Sequence, residues 1–209
     1  QGHEKFVLRD GWLNKGLLAI NEPESKVFLE KNATDIFGIG NNMVKSLRYW
    51  MKAFNLIEDR GGTGVTLTEL GKKIKFYDLY FENDFTLWIL HSNIAKNIEE
   101  ATTWYMFFNR CNIEEFDKEQ LFTILNREIG KYVEGMTYSE QSVKNDIDVL
   151  LSMYSKNHEV ADPEDKNISI FSKLGLIKYS EGQYIKAHPD LRRINEWVIL
   201  YELALLLDN

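Results

Sequence analysis

Two groups of ionisable residues have a make-up that could hold a metal or act on a phosphate. The first is His3, Glu4, Lys5, Arg9 and Asp10, a dense cluster interleaved with Phe6 and Leu8. On an extended segment Lys5, Val7 and Arg9 share one side, so the group could hold a metal, grip phosphate or supply an acid–base pair. It also reads as a solvated terminus in which Asp10 caps the helix that follows. The second group is Asp162-Pro-Glu-Asp-Lys166. Glu164-x-Lys166 is the spacing of many metal-dependent nucleases, where the acid holds Mg²⁺ and the lysine stabilises or activates the attacking water. The same residues read equally as a helix start, with Asp162 at the cap, proline at the first position and acids in the first turn. Such nucleases set Glu-x-Lys on a strand, and no strand is evident here. The residues alone do not establish catalysis; were the chain to cut a phosphate backbone, Glu4 and Asp10 would be the favoured acids, because they directly precede the helix-turn-helix described next. Asp162, Glu164, Asp165 and Lys166 are the alternative, and Mg²⁺ is the cofactor that either set would take.

A surface to hold the phosphate is easier to find. Asn32-Ala-Thr-Asp35 starts a short helix, with Asn32 expected at its cap and Asp35 as the capping-box acid. Gly38-Ile-Gly40 makes a tight turn, and Asn41 is expected to cap a second helix. In that helix Met43, Leu47, Trp50 and Phe54 recur at helical spacing. The stripe leaves Lys45, Arg48, Tyr49 and Lys52 on the opposite face. Leu56-Ile57 and Val65-Thr66-Leu67 then flank Arg60-Gly-Gly-Thr-Gly64, a hairpin with a glycine-rich tip. This is the pattern of a helix-turn-helix followed by a wing. The predicted DNA surface is Lys45, Arg48, Tyr49, Lys52 and Arg60, the helix in the major groove and the wing arginine on phosphate or in the minor groove. The competing reading is a protein-docking module whose basic face is merely solvated.

The elements that position these groups fall into a repeated plan. Asp10 is expected to cap a helix through roughly Gly11 to Ile20, broken by Asn21-Glu-Pro-Glu24, and a further helix runs from Glu69 to about Tyr77. Helices over about 84–98 and 99–109 carry Trp88, Trp104, Tyr105, Phe107 and Phe108, an aromatic hub read as core. His91 within it reads as a hydrogen-bonded core histidine. One hundred residues after the first stripe, Val143, Ile147, Leu150 and Tyr154 repeat its spacing in a helix that Ser142 is expected to cap. Leu174-Gly-Leu-Ile177 and Gln183-Tyr-Ile185 then flank Ser180-Glu-Gly182, a second hairpin, after an insertion of about twenty residues. The second helix shows Asn145, Asp148 and Ser152 where the first shows cations, so it suits protein or a supporting role better than phosphate. The expected fold is mainly α with small β-hairpin wings: two winged-helix-like units joined by an aromatic helical hub. The divisions fall at 1–80, 81–116 and 117–209, with an apolar helix at about 190–208 packing on the hub or on a second copy in a homodimer.

The 209 residues and 44% hydrophobic content suffice for a real core. The net charge of −7 is unevenly spread. Residues 1–80 carry twelve Lys/Arg against ten Asp/Glu, and the remainder carries thirteen against twenty-two. The first part can meet phosphate in a salt-sensitive way, and the acidic part suits a protein partner. Cys111 is the only cysteine, which precludes an internal disulfide and suits a reducing cytoplasm. The longest apolar run, Trp197 to Leu207, contains Glu202 and is too short to cross a bilayer, so no membrane association is expected. Gly38-x-Gly40 lacks the third glycine and the preceding strand of a dinucleotide loop. No His-Glu-x-x-His, paired cysteine, Gly-x-Ser-x-Gly or phosphate-loop spacing occurs.

Several stretches together resemble a bacterial family long of unknown function. They are Gly2-His-Glu-Lys-Phe6 running into Arg9-Asp-Gly-Trp-Leu13 and Lys15-Gly16, Gly38-Ile-Gly-Asn-Asn-Met-Val-Lys-Ser-Leu-Arg-Tyr-Trp50, Asp162-Pro-Glu-Asp165 and Leu174-Gly-Leu-Ile177. Its members are commonly encoded beside phosphoadenosine-phosphosulfate-reductase-like proteins in operons for single-stranded DNA phosphorothioation (Ssp-type). The resemblance implies the B component of such a defence system, acting on DNA with a sulfur-transfer protein and an ATPase. It also implies DNA nicking, because sulfur cannot replace a backbone oxygen until the phosphate is opened. A transcription regulator and a non-catalytic adaptor of the same system are the alternatives to weigh.

Overall fold

The computed structural model describes residues 2–135, 137–155, 169–190, 192 and 194–207. The chain opens with a turn over residues 2–5, and residues 6–9, expected to be extended, run on without regular secondary structure. Glu4 and Lys5 take φ of 48° and 66°, and the Phe6 N–H donates back to the His3 carbonyl at 2.7 Å. Helix α1 (Trp12–Ala19) buries Trp12, Leu13, Gly16 and Leu17. Its cap is Gly11 with φ 78°, so Asp10 does not cap it. Helix α2 (Ala33–Phe37) ends at Gly38 in the left-handed region, and α3 (Asn41–Ala53) starts after an extended Gly40.

Neither Asn32 nor Asn41 caps through its side chain. The Asn32 carbonyl takes the Asp35 and Ile36 N–H groups while its side chain stays in solvent, and Asn41 is already helical. Strands β1 (Ile57–Asp59) and β2 (Val65–Leu67) pair antiparallel, Ile57 opposite Leu67. A 3₁₀ turn at Gly61–Thr63 joins them. Gly64 lies so close to residues 24 and 25 that a Cβ there would meet the Glu24 carbonyl at 2.4 Å. Helix α4 (Glu69–Tyr77) is capped by Thr68, whose hydroxyl accepts from the Gly71 N–H.

Helices α5 (Asp84–Lys96) and α6 (Thr102–Asn109) pack on each other at the centre of the molecule. Strand β3 (Glu115–Phe116) leads to α7 (Lys118–Tyr132), which opens with a full capping box between Asp117 and Gln120. Helix α8 (Glu140–Ser155) starts two residues before the Ser142 expected to cap it. The Ser139 hydroxyl takes the Ser142 N–H at 3.3 Å instead. A 3₁₀ segment, Ile170–Leu174, precedes β4 (Ile177–Ser180) and β5 (Gln183–Lys186). With β3 these form a three-stranded antiparallel sheet in the order β3-β5-β4. Helix α9 (Glu196–Leu207) packs on α5.

Among the described residues the protein is mainly helical, with two small antiparallel sheets. The apolar stripes of α3 and α8 both point inward: Leu47, Trp50 and Phe54 are buried, as are Val143, Ile147, Leu150 and Tyr154. They do not close two separate cores. Buried side chains from Leu8 to Ile177 form one continuous cluster. Ring contacts run through it without a break, from His3 over Trp50, Phe54, Phe171, Tyr154, Phe108, Phe107, Phe116 and Tyr184 to Tyr179. The Phe54–Phe171 stack, centroids 5.1 Å apart, joins the end of α3 to the second half.

Candidate nucleic-acid interface and the N-terminal cluster

Helix α3 carries its cations one or two turns apart, and each meets a different fate. Lys45 is exposed and reaches Asn42 Oδ1 at 3.4 Å. Arg48 gives a bidentate pair to Asp59 on β1, at 2.7 and 2.5 Å, and donates a third bond to the Gly61 carbonyl at 3.0 Å. It therefore fastens the helix to the hairpin. Burial pulls the Asp59 carboxyl upward. The hydrogen bonds from Arg48 and the Gly61 N–H, with the charges of Arg48 and Lys52, outweigh this and hold it below the ordinary carboxylate range. Lys52 pairs with Glu100 at 2.5 Å and keeps 40% of its side chain in solvent. Arg60, at 61% exposure, leans toward Glu58 at 3.3 Å and Glu24 at 3.9 Å.

Tyr49 departs from the expected face. Its hydroxyl donates to the Glu100 carbonyl at 2.8 Å and its ring lies against Gly2, where a Cβ would come within 2.2 Å of it. Burial first, then the charges of Asp146 and Glu100, push its phenol pKa well up. The physical reason is that the first turn, through Gly2 and His3, and the loop at Glu100 cover this side of α3, and the Tyr49 ring also meets Trp50 edge to face at 5.1 Å.

In the N-terminal cluster the buried member is His3, which is 1% exposed. Its ring stacks on Trp50 at 5.8 Å and meets Tyr49 and Trp104 by their edges. Its Nδ1 accepts the Lys5 backbone N–H at 3.1 Å, so Nε2 carries the proton and donates to Asp146 Oδ1 at 2.7 Å. The other Asp146 oxygen accepts from the Thr103 hydroxyl at 2.8 Å. His3, Thr103 and Asp146 thus join the first turn, α6 and α8. Glu4, Lys5 and Asp10 are exposed, and the Arg9 guanidinium sits 5.7 Å from the Trp12 ring centre. Nothing brings Glu4 and Asp10 together. Among the described residues no three His, Cys, Asp or Glu side chains gather in a group that could hold a metal ion. Asp162, Glu164, Asp165 and Lys166 lie outside the described residues.

The second helix shows an acid where α3 shows cations. Asp148 pairs with Lys118 of α7 at 2.6 Å. The role of Asp146 was not legible, since it stands one residue from the Ile147 stripe and its partner lies 143 positions away. A cavity of about 480 Å³ lies between α5, the loop after α6, β5 and α9, with Trp88, His91, Cys111 and Lys186 on its walls. His91 and Lys186 are committed to the protein itself. His91 Nδ1 meets the Tyr154 hydroxyl at 2.9 Å, and burial pushes its pKa down to about 3. Lys186 donates to the Phe107 and Cys111 carbonyls, and burial raises the Cys111 pKa.

A family described as "Protein of unknown function (DUF4007)" matches residues 1–209 of the chain. No curated protein matches it. The magnesium-ion-bound crystal structure of SspB shares the fold, with a TM-score of 0.80 and 24% identity over 96% of this chain and 63% of that one. A further SspB crystal structure gives 0.77 and 25% over the same shares. The chain spans less than two thirds of the length of these structures. No helix among the described residues is long and apolar enough to cross a membrane.

Proposed function

The chain belongs to the DUF4007 family, and from that premise we propose that it is the DNA-binding B component of an Ssp-type phosphorothioation system. The likeness to SspB across 96% of the chain carries this reading. Within it, α2, α3 and the β1–β2 hairpin act as one winged-helix unit. Helices α7 and α8 with the β4–β5 hairpin act as a second, and α5–α6 as the hub, in the divisions 1–80, 81–116 and 117–209.

Lys45, Lys52 and Arg60 are the phosphate contacts. Exposed ion pairs are worth only about 0–1 kcal/mol, so a phosphate can take Arg60 from Glu58 at little cost, and Lys52, partly in solvent, can turn from Glu100. Arg48 positions the hairpin, because its bidentate pair with Asp59 is half-buried. A Lys45→Ala/Lys52→Ala/Arg60→Ala variant should bind duplex DNA at least tenfold more weakly. Its log K against log salt should be flatter by about 0.9 for each phosphate that the variant no longer neutralises. Unchanged affinity and slope would move the binding surface elsewhere.

Nicking belongs to the same proposal and has its own test. Purified protein with Mg²⁺ should convert supercoiled plasmid to open circle, and EDTA should stop it. Two sets of acids enter that test. Loss in Glu4→Ala/Asp10→Ala would locate the chemistry at the N-terminal cluster. Loss only in Asp162→Ala/Glu164→Ala would place it beside Asp165 and Lys166. No loss in either removes both sets.

A second reading, a non-catalytic adaptor, is favoured by one observation. Helix α9 leaves Trp197, Ile199, Leu200, Leu203, Leu206 and Leu207 at least half exposed, an apolar surface suited to a protein. On that reading a Leu200→Asp/Leu203→Asp variant should lose the sulfur-transfer protein or ATPase of the system in a co-purification, and no plasmid nicking should be seen.

A further inference from the structure

Helix α4 buries one side and presents the other as a mixed aromatic and basic face. Ile74 enters the core, and Gly71 lies so close to Leu56 that a Cβ would meet its carbonyl at 2.2 Å. Lys75 turns sideways to the Ile20 carbonyl and Asn21. That leaves Lys72, Lys73, Phe76 and Tyr77 pointing outward together, at the i, i+1, i+4, i+5 spacing that shares one helix face. Phe76 and Tyr77 are each 80% exposed, with their rings edge to face at 4.7 Å, and Tyr80 just beyond is 64% exposed.

A phenylalanine with most of its surface in water has no polar atom to satisfy there. That ring edge to face with an equally exposed Tyr77, next to lysines and with Tyr80 a turn further on, is not an ordinary solvated helix face. The nearby acids are Glu69, Asp78, Glu82 and Asp84. Glu69 pairs with Lys72 in solvent, at 2.6 Å. Asp78 turns its carboxylate to the backbone N–H groups of Glu82 and Asn83. Glu82 and Asp84 are exposed.

We propose that this end of α4 is a stacking platform for single-stranded nucleic acid. Bases lie on Phe76, Tyr77 and Tyr80, and the adjoining phosphates meet Lys72 and Lys73. Cations beside open π-faces complement a chain that alternates phosphate and base. A duplex hides its base faces within its own stack, so only an unpaired strand offers them. The surface itself is argued from α4 alone; that the strand is DNA rests on the proposed function.

Fluorescein-labelled oligo(dT) is the probe, with a blunt duplex of mixed sequence as comparison, both read by anisotropy on the full chain. Phe76→Ala/Tyr77→Ala should weaken oligo(dT) binding about tenfold or more and leave the duplex within twofold. Lys72→Gln/Lys73→Gln should flatten the salt dependence on oligo(dT) by about 0.7 for each phosphate left without its lysine. Both variants should keep the wild-type Tm, since the side chains are exposed. Oligo(dT) affinity unchanged in both variants overturns the proposal. So does an equal loss on oligo(dT) and duplex, or loss of self-association with DNA binding intact, which would make the rings a protein-docking surface. Lys45→Ala/Lys52→Ala/Arg60→Ala separates the two readings, because it should weaken the duplex and spare oligo(dT). A wild-type protein that binds duplex but not oligo(dT) refutes the platform and leaves the proposed function standing. The converse result does the reverse.

Discussion

His3 is a polar side chain built into an aromatic core, with both ring nitrogens satisfied and its carboxylate partner satisfied in turn. Removing it by His3→Ala leaves Asp146 half-paired and opens a void beside Trp50 and Trp104, a combination that should cost about 2–4 kcal/mol. Asp146→Asn keeps an acceptor for Nε2 and should cost less than Asp146→Ala; urea titration of the three variants checks the order. His91 makes a different test. Its pKa falls from an ordinary value near 6.5 to about 3 in the fold. The unfolded chain therefore binds the extra proton first as pH drops. The stability due to the neutral ring is complete above about 6.5 and is lost progressively down to about 3. At pH 5 the loss should be on the order of 2 kcal/mol, and His91→Gln should flatten that part of the stability–pH curve. The expectation of a hydrogen-bonded core histidine was legible from the apolar residues around His91. That of His3 was not, because a histidine among Glu4, Lys5 and Arg9 looks like surface until the chain turns it under Tyr49.

At the level of elements, the Arg48–Asp59 pair shows how a basic helix face can serve its own fold first. A folded-state pKa below the ordinary carboxylate value means that Asp59 contributes stability above about pH 4 and loses it as pH falls through its folded pKa. Asp59→Asn should lower stability at pH 7 and remove part of the acid-induced loss, as acid titrations of wild type and variant followed by circular dichroism would show. Gly71→Ala should destabilise by about 1–3 kcal/mol, because the new methyl has to push the Leu56 carbonyl away from α4; thermal melts would measure it. Both hairpins and most helices were readable from periodicity and glycines, down to Glu69–Tyr77, but α7 and β3 were not. Their caps were not: Asp10, Asn32, Asn41 and Ser142 are capping types in the right neighbourhoods. Whether a side chain turns back to cap depends on the φ and ψ of its own residue, which Gly11 and Gly40 decided instead.

Over the whole molecule, the shared core argues that the chain unfolds as one unit. Near-ultraviolet signals from Trp50 and Trp104 should be lost in the same transition as the helical signal, with one midpoint in urea. The recurrence of the 43/47/50/54 spacing at 143/147/150/154 was visible because burial imposes the helical period on each stripe separately. How the two stripes meet was not visible. Phe54 against Phe171, and His3 against Asp146, are pairings across more than a hundred positions, set by shape and not by any local pattern.

The same clasp has a bearing on how the chain is made. His3 leaves the ribosome 143 positions ahead of Asp146. At roughly 5–20 residues per second that interval is about 7–30 s. Throughout it the His3 ring, stacked on Trp50 in the finished protein, lacks its carboxylate partner on α8. The nascent first half is therefore an unfinished surface whose apolar groups must be shielded, by collapse or by a chaperone, until the later helix arrives. Arresting translation before residue 140 should leave a chain that is digested readily by protease, and arresting it once α8 has cleared the exit tunnel should protect the turn around His3.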